Sequence, residues 1–282
     1  MRTDTEKNYQ QKVNQIIDYI NANLHQPLSL DFLAGQMCVS VRQLLRIMRS
    51  SLNETLSAYV TRQRMERAVI YMQIKKMNLT ELAGMVGFDN PQSFSKAFKK
   101  QFGTSPKAYM NELQARLKKY VNSNANGQNL FLPEICQEDD LDLVYIRVIG
   151  KYGAHNAYEA AWGKLVCFLK NHEALSERTR FIGICFDDPN VTRVDRCRFY
   201  ACASVDKKMA QTGEFGTIRL QKGRYAVFTH KGNYSGLQEL YNNINVNFEY
   251  ILRYGVAFEE YLNSPHHTKE EALLTKIFIP VE

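Results

Sequence analysis

No segment of this 282-residue chain approaches the roughly 18 uninterrupted apolar residues that a membrane-crossing helix needs. The opening MRTDTEKNYQQK lacks the apolar core of a secretory leader, so a cytoplasmic location without a membrane partner is expected. Cysteine is sparse: Cys38, Cys136, Cys167, Cys185, Cys197 and Cys202 lie far apart, with no CxxC pair and no histidine at ligand spacing. That pattern favours neither a disulfide framework nor a zinc centre and predicts buried free thiols. No metal or cofactor is expected. An apolar content of 45% with 23% charged residues describes a folded protein and not a disordered one.

Acidic residues are scarce in one part only. Residues 1–120 carry 18 Lys and Arg against 9 Asp and Glu, a net +9, whereas residues 121–282 carry 18 against 20, a net −2. A basic module joined to a near-neutral one is the charge pattern of a nucleic-acid binder coupled to a second function.

The basic part reads as helix throughout. Val13, Ile16, Ile17, Ile20 and Leu24 recur at helical spacing ahead of Pro27. An internal repeat follows. LSLDFLAGQM (28–37) lies over MNLTELAGMV (77–86), and beyond one extra turn residue Arg46, Arg49, Ala58 and Tyr59 match Lys96, Lys99, Ala108 and Tyr109. Each copy predicts a short helix, a tight turn and a second helix. Ser40 caps the first of these second helices, with Leu44, Ile47, Met48 and Leu52 inward. In the other copy Asp89 or Asn90 caps, Pro91 opens the helix, and Phe94, Ala97, Phe98 and Phe102 turn inward. Asn53 and Gly103 supply the left-handed ends. Residues 55–73, free of Gly and Pro, predict one continuous helix about 28 Å long.

A linker is expected over 121–140, through VNSNANGQN and the acidic QEDDLD. Beyond it, strand-like runs at 143–149, 180–186 and 198–205 surround a helix at 158–169. A second round places strands within 217–230, a helix over 237–252, and strands at 256–262 and 275–281. The expected architecture is therefore α+β and multidomain. An all-α helix-turn-helix pair occupies 1–120, and a duplicated β-α-β-β module with an antiparallel sheet occupies 141–282, helices on one side of the sheet.

A helix fits the major groove of DNA, and the start of the second helix of a helix-turn-helix faces the bases. Arg42 and Arg46 share one face, suited to guanine edges, and Gln92 is suited to adenine. Arg49, Lys99 and Lys100 lie further along and suit phosphates. A solvated basic face explains one such helix, but two copies on one apolar frame favour double-stranded DNA. LTELAGMVGFDNPQSFSKAFKKQFGTSPKAYM (79–110) resembles the signature of AraC-type transcription regulators, carried by Ala83, Gly87, Phe88, Ser93, Phe94, Phe98, Lys99, Gly103, Pro106 and Tyr109. The resemblance implies base contacts by Arg42, Leu45 and Arg46 in the first unit and by Gln92, Ser93 and Lys96 in the second. It also implies promoter DNA and RNA polymerase as partners. Met48 and Asn53 depart from the Phe and Gly usual in the family.

The second module is rich in aromatics, among them Tyr145, Tyr152, Tyr158, Trp162, Phe186, Tyr234, Tyr241, Phe248, Phe258 and Tyr261. Strand alternation in VAFEEYL puts Glu259 and Tyr261 on one face. A carboxylate beside tyrosines favours a cationic, partly apolar ligand, while two solvated glutamates remain the plain alternative. RVIGKYGAHNAYEAAWGKL, IGICFDDPNVT, DRCRFYACASV, KGRYAVFTHKGNY and VAFEEYLNS are similar, in that order, to the GyrI-like small-molecule-binding domain, a duplicated SHS2-like fold. That likeness implies a groove for amphipathic or cationic organic effectors, with Glu259 as its carboxylate and Tyr261, Tyr152, Trp162, Phe186 and Tyr234 around it. The expected function is a transcription regulator with an effector-binding domain and no enzymatic activity. The alternatives are a hydrolase using Glu259 and Tyr261, or a groove that contacts a protein.

Overall fold

The structure is a computed structural model that describes residues 4–74, 77–124, 132–152, 155–188, 191–248, 250–253 and 255–282. These fall into a helical unit and a sheet unit.

The helical unit runs α1 (Asp4–Ala22), α2 (Leu30–Met37), α3 (Val41–Leu52), α4 (Leu56–Ile74), α5 (Leu79–Met85), α6 (Pro91–Phe102) and α7 (Pro106–Asn124). Its boundaries follow from side chains that satisfy the first N–H groups of each helix. Ser40 and Gln43 form a capping box at α3, and Asn78 and Glu81 form another at α5. Asn90, with Pro91 behind it, caps α6 by accepting from Ser93 N–H at 2.8 Å. Asn53 and Gly103 close α3 and α6 at φ 55° and 75°. Leu44 and Met48 on α3, and Phe94 and Phe98 on α6, are fully buried against the frame.

Helix α4 joins the two copies and bonds to the loop after α1. Arg64 Nε donates to the carbonyl of Leu24 and Nη2 to that of Gln26, both at 2.8 Å, while its guanidinium lies 5.7 Å from the Phe88 ring centroid. Gly87, at φ +85°, passes beneath this arginine, and a Cβ there would strike the Leu24 carbonyl. The first copy holds Cys38 in the equivalent left-handed turn, at φ 53°. Cys38 and Cys167 are exposed, Cys136 and Cys185 half-buried, and only Cys197 and Cys202 fully buried, so the expectation of buried thiols fails for most of them.

The sheet unit contains β1 (Glu134–Glu138), β2 (Leu141–Ile149), α8 (His155–Asn171), β3 (Phe181–Cys185), β4 (Arg198–Ser204), β5 (Phe215–Leu220), β6 (Gly223–Lys231), α9 (Leu237–Asn247), β7 (Phe258–Tyr261) and β8 (Leu274–Val281). Its eight strands pair antiparallel in the order β1-β6-β8-β7-β3-β4-β2-β5. The sequence predicts neither β1 nor so short a second helix. Strand β1 occupies part of the expected linker 121–140, of which 121–124 belong to α7 and 125–131 lie outside the described residues. Helix α9 stops at Asn247 instead of near 252, in an asparagine-rich run of low helix propensity.

The repeat is consequently larger than β-α-β-β, and its leading strands are exchanged. Strands β1 and β5 each precede a β-α-β-β set, yet β1 pairs with β6 of the second set and β5 with β2 of the first. Only residues 139–140 connect β1 to β2, the first and seventh strands of the sheet. In a flat sheet those strands stand about 29 Å apart, whereas three Cα steps reach about 11 Å. The sheet therefore rolls until its ends meet. Residues 221–222 impose the same closure between β5 and β6, and Asp140 accepts from Lys222 N–H at 2.7 Å across the two turns.

Rolling explains why the face without helices is dry. Tyr145 stacks on Tyr200 at 4.2 Å and Phe258 on Phe278 at 4.5 Å, in a cluster with Leu143, Ile182, Ile184 and Tyr225. Arg180 bridges Glu138 on β1 and Glu260 on β7, each at 2.7 Å. The other face carries α8 over Val144, Ile146, Phe199 and Ala201, and α9 over Ala226, Phe228 and Ile277.

Gly87→Ala should lower the stability of the helical unit by at least about 2 kcal/mol, from the left-handed backbone and the carbonyl overlap. Gly84→Ala, inside α5 with open space around it, should be neutral or stabilising by up to about 1 kcal/mol. Thermal melts followed at 222 nm separate the two variants, and equal behaviour contradicts the role given to the Gly87 turn.

Candidate functional sites

The frame that buries Leu44 and Met48 leaves Arg42, Leu45, Arg46 and Arg49 exposed on α3, Leu45 at 39%. Burial of Phe94 and Phe98 likewise exposes Gln92, Ser93, Lys96, Lys99 and Lys100 on α6. Two arginines of α4 are instead consumed by structure. Arg62 pairs with Glu54 at 2.6 Å and Glu66 at 3.1 Å, and Arg64 holds two carbonyls. Among the described residues, none of Arg42, Arg46, Arg49, Lys96, Lys99 and Lys100 is engaged in an ion pair. Both copies thus present unspent positive charge beside short polar side chains.

The second site lies on the helix-bearing face of the sheet. Strand alternation turns Glu259 and Tyr261 toward this face and Phe258 and Glu260 into the rolled interior. Glu259 is 5% exposed. Its Oε1 accepts from Tyr241 Oη on α9 at 2.9 Å, and its Oε2 from Tyr261 Oη at 2.6 Å. Trp162 from α8 stands edge-on to the Tyr261 ring at 5.9 Å, and Tyr234, in the turn before α9, at 5.5 Å. Tyr152 lies in the same layer as Trp162, with its hydroxyl accepting from Asp187 N–H at 3.0 Å and 2.9 Å from the Asp187 carbonyl.

Phe186 is not brought to this site. It follows Ile182 and Ile184 on β3 and continues their alternation into the interior, where its ring lies 4.6 Å from Tyr200. Tyr241 takes its place among the aromatics around Glu259. The aromatic content of the sequence includes Tyr241, but its bond to Glu259 joins α9 to β7 across 18 residues of chain, a pairing that no local pattern encodes.

Burial raises the Glu259 pKa, opposed by the tyrosine hydroxyls and by His230. Burial, then the Glu259 charge, holds Tyr241 and Tyr261 well above the ordinary phenol value, so both remain O–H donors. The result is a desolvated carboxylate walled by aromatic rings, an arrangement that gains from a cation able to offset the burial cost. Among the described residues no group of His, Cys, Asp and Glu is arranged to hold a metal ion, and no helix is long and apolar enough to cross a membrane.

Residues 132–282 match the GyrI-like small molecule binding domain, and residues 33–112 match a helix-turn-helix domain. The chain belongs to the GyrI-like family, and its helical unit is of the AraC type. It is 32% identical over 107 residues to YkgA of Escherichia coli K12, covering 38% of this chain and 45% of YkgA. It is also 32% identical over 102 residues to the Msm operon regulatory protein of Streptococcus mutans, covering 36% and 37% of the two chains. The chain therefore spans less than half the length of either relative. The C-terminal domain of AraT, a response regulator from Geobacillus stearothermophilus, is 31% identical over 36% of this chain and 84% of that domain, with a TM-score of 0.35.

A carboxyl group whose pKa is raised by folding stabilises the fold fully below its unfolded pKa, and that contribution is lost as pH rises through the folded value. Melting of the sheet unit should therefore fall as pH rises above 4.5, the ordinary value, and Glu259→Gln should flatten that slope. A slope unchanged by Glu259→Gln in Tm-against-pH measurements contradicts the burial of this charge.

Proposed function

We propose that the protein is a one-component transcription regulator. Residues 1–120 read promoter DNA, and 141–282, joined by strand β1 from within the 121–140 connection, bind a small organic cation with apolar substituents. The observation that carries the effector half is Glu259, buried among aromatic rings with no Lys or Arg of the described residues in an ion pair with it. The unpaired basic residues on α3 and α6 support the DNA half. Arg42, Leu45, Arg46, Gln92, Ser93 and Lys96 face the bases in this reading, and Arg49, Lys99 and Lys100 hold phosphates. Glu259, Tyr261, Tyr241, Trp162, Tyr234 and Tyr152 form the effector site. The protein acts in the cytoplasm, with RNA polymerase as the target of its regulation. An effector changes DNA binding or polymerase contact only through unequal affinity for two states of the protein, and a few kcal/mol is enough for a large shift.

Binding is favoured over hydrolysis because both oxygens of Glu259 already accept a tyrosine hydroxyl, which weakens them as a base toward water.

Tetraphenylphosphonium titrated into the full chain should bind more tightly as pH rises, because the cation favours the ionised carboxylate. Glu259→Gln should weaken binding at least about tenfold, the scale of a charge-assisted contact. Calorimetry giving equal affinities for the two proteins rejects the cation reading.

On DNA, Lys96→Ala should change base preference at one position, while Lys99→Ala should weaken all sequences alike and reduce the salt slope by about one. Selection from a random-sequence pool and salt titrations distinguish them; uniform weakening by Lys96→Ala removes it from the base-reading set.

A further inference from the structure

Strands β3 and β7 meet at the centre of the sheet, where Gly183 lies directly opposite Glu259. The same two positions correspond in the internal repeat. A shift of 76 residues carries Cys185 to Tyr261 and Arg198 to Leu274, matching the β3–β4 pair to the β7–β8 pair, and carries Gly183 to Glu259. One half of the duplication thus supplies a carboxylate where the other supplies no side chain.

The space opposite Glu259 is occupied. A Cβ built on Gly183 would overlap the Tyr261 hydroxyl and would lie 2.8 Å from Phe199 Cε2 and 2.9 Å from Tyr261 Cζ. Tyr261 therefore leans across the strand boundary and lies over bare backbone, the position from which its hydroxyl donates to Glu259 Oε2 at 2.6 Å. Trp162 from the first half and Tyr234 from the second both pack edge-on against the ring. The backbone at Gly183 is ordinary strand, without positive φ, so glycine is required here for room and not for conformation.

We infer that Gly183 is a specificity-determining residue of the Glu259 site: the volume of its missing side chain seats the Tyr261 hydroxyl against the carboxylate. A methyl group at 183 lifts the tyrosine, takes a donor from the charged carboxylate and lowers the advantage of a cationic ligand over a neutral one. The effect on ligand choice rests on the cation-binding reading; the seating of Tyr261 does not.

The test compares the full chain with Gly183→Ala, Tyr261→Phe and the double variant. Two probes are titrated, tetraphenylphosphonium and its neutral relative triphenylphosphine oxide, and emission of Trp162, the single tryptophan of the chain, is recorded without ligand. Gly183→Ala is expected to lose about tenfold in cation affinity, as does Tyr261→Phe, with less than about a twofold change for the neutral probe. The double variant should be no weaker than either single, because both remove one hydrogen bond. Trp162 emission should change in Gly183→Ala, since the ring beside it has moved. Unchanged cation affinity with unchanged emission overturns the inference, and so do additive losses in the double variant or equal losses for both probes.

If the wild-type protein binds neither probe, the cation reading fails, and the Tm-against-pH slope carried by Glu259 decides the seating of Tyr261, whose hydroxyl opposes the burial effect on that carboxyl: Gly183→Ala should change the slope as Tyr261→Phe does, and a wild-type slope overturns it. Should Gly183→Ala fail to fold, Tyr261→Phe with Gly183 intact decides: about a tenfold loss for the cation with the neutral probe unchanged supports the seated hydroxyl, and unchanged cation affinity overturns it.

Discussion

Two connections of two residues each determine the shape of the sheet unit. Because 139–140 and 221–222 join strands at opposite ends of the strand order, the sheet cannot remain open, and one of its faces becomes an interior that needs no helix to cover it. Tyrosines and phenylalanines that in an open sheet would require a second layer stack there on one another. Both helices are then free for the outer face. They leave between them the central strands β3 and β7, where a side chain can be enclosed without belonging to the core. Glu259 occupies that position. Its isolation from water follows from where the roll puts the middle of the sheet.

Charge is used differently in the two units. On α4 arginines serve the fold, holding carboxylates and carbonyl groups that end neighbouring helices. On α3 and α6 the basic side chains have no such duty, and the buried Phe and Met stripes behind them set only their direction. The sheet unit inverts this economy of charge, with one carboxylate placed where burial is expensive. Each site is recognisable as a cost or a surplus that folding does not explain.

Local rules in the sequence were enough for the helical unit. Caps at Ser40 and Asn90, the left-handed ends at Asn53 and Gly103 and the apolar stripes depend on residues within one or two turns of each other. The strands of the repeat were legible for the same reason, through alternation. Strand β1 was not, because EICQE is short and mostly polar and is held by pairing with β6, about ninety residues away in the chain. Phe186 is assigned to the Glu259 groove by the family resemblance, although strand parity already places it with Ile182 and Ile184 on the opposite face. Tyr241 and Gly183 required the strand order itself. Nothing near either residue in the sequence indicates that it meets Glu259.

The exchange of leading strands also sets an order on assembly. When β1 leaves the ribosome its partner β6 has not been synthesised, and the first half has its own outer strand β5 still to come. Neither half can complete its sheet alone, so the unit folds as one cooperative body late in synthesis, through contacts of long sequence separation that make folding slow. Two separate copies of such a half would satisfy the same pairing by trading their first strands. The present chain has the architecture of that dimer, made permanent by covalent connection and freed, at Gly183 and Glu259, to let its two halves differ.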